Sequence, residues 1–73
     1  MVLRRGTLNV VARNEARQEH EIRLTIRQGK SYREVNHRIG AGVEISIAIP
    51  EQGAQIEAWD LSEHVRLPVE SAR

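Results

Sequence analysis

The residue types best suited to metal binding in this 73-residue chain are its three histidines, His20, His37 and His64. Histidine metal sites show close spacing, with two ligands near each other on one helix or one strand. These three histidines are widely separated, and the chain has no cysteine. We therefore expect three surface or hydrogen-bonded histidines, no metal site and no cofactor.

Ser62, Glu63 and His64 bring a hydroxyl close to an imidazole, the pair of groups that nucleophilic catalysis uses. Catalysis also needs a third group that orients the base, and Asp60 is the only aspartate available for that role. No glycine-flanked nucleophile motif surrounds Ser62. Glu44 and Glu57 fall at solvent-facing positions of predicted strands, which is ordinary for a sheet. The sequence therefore predicts a protein that is not an enzyme.

Arginine supplies the sharpest binding hypothesis, because ten of the eleven basic residues are arginine. Its planar fork matches phosphate and carboxylate groups. Arg23 and Arg27 share the outer face of one predicted strand, and neighbouring strands are expected to add further arginines to the same patch. The predicted binding set for nucleic acid or an acidic partner is Arg13, Arg23, Arg27, Arg33 and Arg38.

Two features oppose a nucleic-acid interpretation of this patch. Glu19 and Glu21 dilute its charge, and Tyr32 is the only aromatic residue near it on which a base would stack.

Residues 1–40 carry nine basic and four acidic side chains, whereas residues 41–73 carry two and six. Such a charge division also suits head-to-tail assembly of copies of the protein.

Length and composition indicate one small domain, residues 1–73, with residues 1–5 and 70–73 expected to be flexible. A domain of this size without disulfides usually gains stability from a partner, so we expect self-association or a protein partner. No apolar run approaches a membrane span, and the N-terminus does not resemble a signal peptide. The expected location is cytoplasmic, or the virion if the chain is phage-encoded.

Alternating apolar and polar residues predict an all-β protein. In residues 43–49, β-branched residues alternate with Glu44, Ser46 and Ala48, and Pro50 follows. The same pattern predicts further strands at 7–13, 20–28, 32–39, 54–61 and 65–69, although residues 60–66 also allow a short helix. A bulge between Arg33 and Val35 would reconcile the uneven parity of strand 32–39. The sequence thus predicts a small antiparallel sandwich of five to six strands.

The predicted core is entirely aliphatic. It comprises Leu8, Val10, Ile22, Leu24, Ile26, Val35, Ile39, Val43, Ile45, Ile47, Ile49, Ile56, Val65 and Leu67. Trp59 is placed either at the rim of this core or, if exposed, as an interface anchor.

The order of motifs in residues 35–58 resembles the middle of a minimal immunoglobulin-like sandwich of the fibronectin type III kind. It consists of the Val35–Ile39 alternation, Gly40-Ala-Gly42, the 43–49 strand, Pro50 to Gly53, and Ile56-x-Ala58. The cysteine pair of true immunoglobulin domains is missing, and Trp59 lies late in the chain. The resemblance implies a binding or scaffolding module and assigns no functional residue.

From these features we expect a non-enzymatic structural or protein-interaction module, with a component of a phage particle as one example. The alternative is a small β protein that binds nucleic acid through its arginine-rich face.

Overall fold

Strands account for all the regular secondary structure in the computed structural model of the protein, which describes residues 1–49 and 53–71. The first five strands are β1 (Val2–Arg5), β2 (Asn9–Arg13), β3 (His20–Gln28), β4 (Ser31–Ile39) and β5 (Glu44–Ala48). They are followed by β6 (Gln55–Asp60), β7 (Val65–Leu67) and β8 (Glu70–Ser71). The prediction of an all-β protein is confirmed, and residues 61–64 form a turn instead of the alternative helix. Within the described ranges, no helix is long and apolar enough to cross a bilayer.

The strands form two four-stranded sheets. Sheet A has the order β5-β2-β1-β8, and sheet B has the order β4-β3-β6-β7. All the pairings are antiparallel except the short parallel contact between β1 and β8. The chain crosses from sheet A to sheet B after β2, returns for β5, and crosses again to β6.

The pairing of β3 with β4 runs without interruption from Gln28 opposite Ser31 to His20 opposite Ile39. The bulge predicted between Arg33 and Val35 is therefore absent. Val35 and Ile39 face the core side of sheet B, whereas Tyr32 faces its outer side, so a regular strand accommodates both parities. In strand 54–61 the apolar pattern also predicts a switch of parity, from Ile56 and Ala58 to Trp59 and Leu61. This prediction is wrong, because Trp59 faces outward and Asp60 is buried.

Aliphatic side chains from the inner sides of both sheets form one core. Sheet A contributes Leu3, Val10, Ala12 and Ile47, and sheet B contributes Ile22, Leu24, Ile26, Ile39 and Ala58. Ile49 and Ala54 extend the core beyond the strand ends. This shared core places the two sheets in a sandwich-like arrangement, with one polar face outside each sheet.

Three predicted core residues are wrong, because Leu8, Val43 and Val65 are 54%, 44% and 47% exposed. Leu8 and Val43 lie just before a strand, where the alternation no longer describes the backbone. Val65 lies in β7, the edge strand of sheet B, where it is exposed although Leu67 of the same strand packs partly buried against the core. The remaining predicted core residues are buried or pack partly buried against the core.

The N-terminal segment, predicted to be flexible, contains strand β1. Val2–Arg5 pairs with both β2 and β8, and Leu3 is almost fully buried. Glu70 and Ser71 pair with β1, while residues 72–73 lie outside the described residues. Of the predicted Pro50–Gly53 turn, only Gly53 lies within the described residues, and its φ is positive, at 82°.

Candidate functional site

The only tyrosine and the only tryptophan of the chain both lie on the outer side of sheet B. Tyr32 in β4 is 54% exposed and Trp59 in β6 is 40% exposed. Neither ring belongs to the core, which is built from aliphatic side chains. The exposure of Trp59 satisfies the condition under which the sequence favours an interface anchor.

Trp59 lies in register between two arginines. Its strand neighbours are Arg23 in β3 and Arg66 in β7, so the three residues form a row across the sheet. Residues directly opposite each other in antiparallel strands place their side chains on the same face, within contact distance. Trp59 therefore has an arginine as its cross-strand neighbour on each side.

Arg27 and Tyr32 form a second row on the same face. They are register partners in β3 and β4, and the guanidinium carbon of Arg27 lies 5.4 Å from the centre of the Tyr32 ring. This distance is within the range of a cation–π contact. The Tyr32 hydroxyl donates a hydrogen bond of 2.6 Å to Glu34 Oε1, and this bond raises the pKa of Tyr32.

Two glutamates offset part of the positive charge. Glu34 lies 3.9 Å from Arg23 Nε, and Glu57 lies 3.9 Å from Arg66 Nη2. Both glutamates are register partners of Thr25, which is buried at the centre of the face. A groove with a volume of about 380 Å³ runs over these residues from Tyr32 to Trp59. The outer face of sheet B is therefore a mixed polar and aromatic surface.

The structure brings together two of the five arginines predicted as a binding set, Arg23 and Arg27. Arg13 does not project beside them, because β2 belongs to sheet A, where Arg13 lies 3.4 Å from Glu15. Arg33 has the inner parity of β4, opposite Ile26. These placements correct the expectation that neighbouring strands add Arg13 and Arg33 to one patch.

Arg38 is also on the outer side of sheet B, but it lies at the opposite end of that face from Tyr32, close to Glu19 and Glu21. It is the register partner of Glu21, and it lines a groove of about 230 Å³ with Glu19, Glu21 and Ser62. Arg66 was missed as a member of the face. Its position depends on the register between β6 and β7, for which the sequence carries no signal.

The residues considered for catalysis are arranged differently from their sequence order. Asp60 accepts a hydrogen bond from His20, and Ser62 Oγ accepts one from the backbone N–H of Glu21. In the described residues, no hydrogen bond joins Ser62 to an imidazole. His64 is exposed in the turn after β6 and has φ 57°.

Other polar groups are also dispersed. Glu44 and Glu57 lie in different sheets, so they do not form a carboxylate pair. Nε2 of His37 is buried without a hydrogen-bond partner in the described part of the chain. Across residues 1–49 and 53–71, no group of three His, Cys, Asp or Glu residues is placed to hold a metal ion.

The outer face of sheet B is thus the surface with the most distinctive chemistry. Comparisons with protein-family models, with curated proteins and with solved structures find no match for this chain.

Proposed function

We propose that the protein is an immunoglobulin-like interaction module that binds another protein through the outer face of sheet B. The observation that carries this proposal is the position of Trp59 and Tyr32. Both of the aromatic side chains of the chain are exposed on one face, next to Arg23, Arg27 and Arg66. Trp, Tyr and Arg are the residue types enriched at the energetic centres of protein interfaces.

The strand order supports the immunoglobulin-like part of the proposal. With β1 to β7 lettered A, B, C, C′, E, F and G, the first sheet has the strand order E-B-A followed by β8, and sheet B has the order C′-C-F-G. Immunoglobulin-like sandwiches pair strands A, B and E in one sheet and C, F and G in the other, with C′ added next to C. The domain is then a minimal member of this architecture, without a D strand.

A protein partner fits the charges of the face better than nucleic acid does. Glu34 and Glu57 lie within 4 Å of Arg23 and Arg66, so the face presents paired charges and not a continuous cationic track. A phosphate backbone would meet these carboxylates as well as the arginines. A partner with an apolar side chain for Trp59 and with both acidic and hydrogen-bonding groups complements the face.

Site-specific photocrosslinking tests the proposal. A photoreactive residue at Tyr32 should capture a protein in cells that produce the chain, whereas the same group at Ser46, on the outer side of sheet A, should not. Trp59→Ala should remove the capture and weaken binding of the purified partner about 30-fold, as expected for a central interface residue. Leu8→Ala, which truncates an exposed residue elsewhere, should leave both unchanged.

Two results would overturn this function. Equal capture from Tyr32 and Ser46, or binding that Trp59→Ala leaves intact, would exclude the outer face of sheet B as the binding surface. Capture that nuclease removes, with an affinity for single-stranded oligonucleotides that falls steeply with salt and is lost in Arg23→Ala/Arg27→Ala, would establish the nucleic-acid alternative.

A further inference from the structure

The outer edge of β4 is the longest free strand edge among the described residues. Sheet B ends at β4, which has nine residues, whereas the other terminal strands have five, three and two. β4 has no proline, and its register with β3 has no bulge. Long, regular edges present unpaired backbone groups to another strand.

The pairing pattern shows which residues of β4 direct their backbone groups outward. The carbonyl of Glu21 in β3 accepts a hydrogen bond from Leu61, on the β6 side, so the odd residues of β3 bond toward β6. Backbone groups alternate in direction along a strand, so the even residues of β3 bond toward β4. Their partners in β4 are odd residues, from Ser31 to Ile39. The even residues of β4 therefore direct their N–H and C=O groups away from the sheet.

We infer that two copies of the protein associate through antiparallel pairing of their β4 edges, about a two-fold axis that passes between the two Asn36 residues. In this register Glu34 of each copy lies opposite Arg38 of the other. The symmetry forms this ion pair twice, on the outer side of a continuous eight-stranded sheet. Opposite charges on directly opposed residues stabilise strand pairing.

Charge complementarity selects this register over its neighbours. An axis at Glu34 or at Arg38 would place identical charges opposite each other, which is destabilising. An axis at Val35 or at His37 would form no pair of opposite charges. Only the Asn36 register uses the even residues as bonding partners and also pairs the charges.

Arg38 is available for this contact. It is exposed, and it forms no ion pair with any other described residue. Glu34 already accepts a hydrogen bond from Tyr32 on one oxygen, and its other oxygen is 3.9 Å from Arg23. A carboxylate has enough acceptor positions for a further guanidinium.

Arg33 is the feature of β4 that opposes pairing, because inward-facing charges on edge strands are a device against edge association. In the Asn36 register Arg33 falls in the last pair of the ladder, opposite Ile39 of the second copy. It is exposed at that end of the strand. It therefore lies at the end of the ladder, away from the central pairs of Asn36 with Asn36 and Glu34 with Arg38.

This inference concerns the edge of sheet B and does not depend on the protein partner proposed for its outer face. The decisive experiment is a charge exchange followed by sedimentation equilibrium over about a hundredfold range of concentration. Glu34→Arg and Arg38→Glu should each weaken dimerisation at least tenfold. The double exchange should restore the dissociation constant to within about threefold, because it recreates both ion pairs.

The matched control exchanges Arg13 in β2 and Glu44 in the edge strand β5, which are register partners in sheet A. Arg13→Glu and Glu44→Arg should leave dimerisation unchanged. A single Asn36→Cys substitution reports the register directly, since the chain has no other cysteine. Opposed Cα atoms about 5.5 Å apart lie within disulfide range, so mild oxidation should link the dimer.

A monomer at every concentration would overturn the inference. So would a dimer that the two single substitutions do not weaken, or one that the double exchange fails to restore while its circular dichroism stays native. Disulfide linkage that is as efficient for Glu34→Cys as for Asn36→Cys would overturn the register.

Discussion

Nδ1 of His20 donates a hydrogen bond of 2.8 Å to Oδ2 of Asp60, and both residues are buried. The pair joins the start of β3 to the end of β6 on the inner side of sheet B. The other oxygen of Asp60 accepts the backbone N–H groups of Ser62 and Glu63, at 2.9 and 3.1 Å. One carboxylate therefore orients an imidazole and closes the turn that leads into β7.

The same contacts predict how stability depends on pH. Burial alone would raise the pKa of Asp60, but the hydrogen bond from His20 and the backbone N–H groups hold it below its ordinary value of 3.8. A carboxyl whose pKa is lower in the folded state stabilises that state above the unfolded pKa. This stabilisation is lost as the pH falls through the folded pKa.

Asp60→Asn should therefore lower the free energy of unfolding by about 1–3 kcal/mol at neutral pH. The difference between the variant and the wild type should shrink as the pH falls below 3.8, which urea unfolding at several pH values would measure. Glu63→Gln is the control, because its exposed carboxylate lies 3.8 Å from Nε2 of His20 and should contribute less than about 0.5 kcal/mol. A difference for Asp60→Asn that is constant with pH would contradict this account.

Asn14 connects the two sheets through its buried amide. Nδ2 donates to the carbonyls of Gln18 and Ile39, each at 2.8 Å, and Oδ1 accepts the backbone N–H of Ala16 at 2.9 Å. Asn14→Asp removes both donors and should lower the free energy of unfolding by at least about 2 kcal/mol. Asn9→Ala is the matched control, since its amide bonds Ser46 at the surface, and its cost should be below about 1 kcal/mol. If both variants lower the free energy of unfolding by the same amount, the buried hydrogen bonds of Asn14 contribute no more to stability than a surface hydrogen bond does.

Leu3 tests whether β1 belongs to the cooperative fold. Its side chain is 1% exposed, so Leu3→Ala should cost about 2–5 kcal/mol in thermal or denaturant unfolding. Leu8→Ala removes the same atoms from a side chain that is 54% exposed, and its cost should stay within about 0.5 kcal/mol. A small cost at Leu3 would mean that β1 detaches without unfolding the rest of the protein.

The Gly40-Ala-Gly42 connection offers a matched pair of glycines. Gly42 has φ 70°, and its N–H donates to the carbonyl of Asn14, whereas Gly40 is not in the left-handed region. Gly42→Ala should cost about 1–2 kcal/mol because the side chain disfavours this conformation. Gly40→Ala meets only Val43 Cγ2 at 3.4 Å and should cost less, as parallel unfolding curves would show. The reverse ranking would contradict the assigned turn geometry.

Alternation along the chain was sufficient to predict most of the strands. His20–Gln28 has the predicted bounds, and β4, β5 and β6 lie within one or two residues of theirs. Period-two patterning is a local property that depends only on which side of a strand a residue occupies. For that reason Ile22, Leu24 and Ile26 were predicted in the core and are buried there.

The short strands at both ends of the chain were not predicted. Val2–Arg5 has too few residues to show a period, and Glu70–Ser71 is a strand only because it pairs with β1. The burial of Ala12, Ala54 and Ala58 is difficult to predict for a similar reason. A small side chain carries little hydrophobic signal, and whether it is buried depends on its neighbours in the fold.

The sequence by itself determined that the protein is all-β, that its core is aliphatic and that Arg23 and Arg27 share a face. Only the tertiary structure decided which strands are neighbours, and with them the partners of each side chain. In the structure Trp59 lies between Arg23 and Arg66 in the strand register, and Arg13 lies in the other sheet. Asp60 forms a hydrogen bond with His20, 40 residues away in the sequence. The physical reason is that sheet pairing is a long-range choice among strands with similar patterns, which local alternation does not encode.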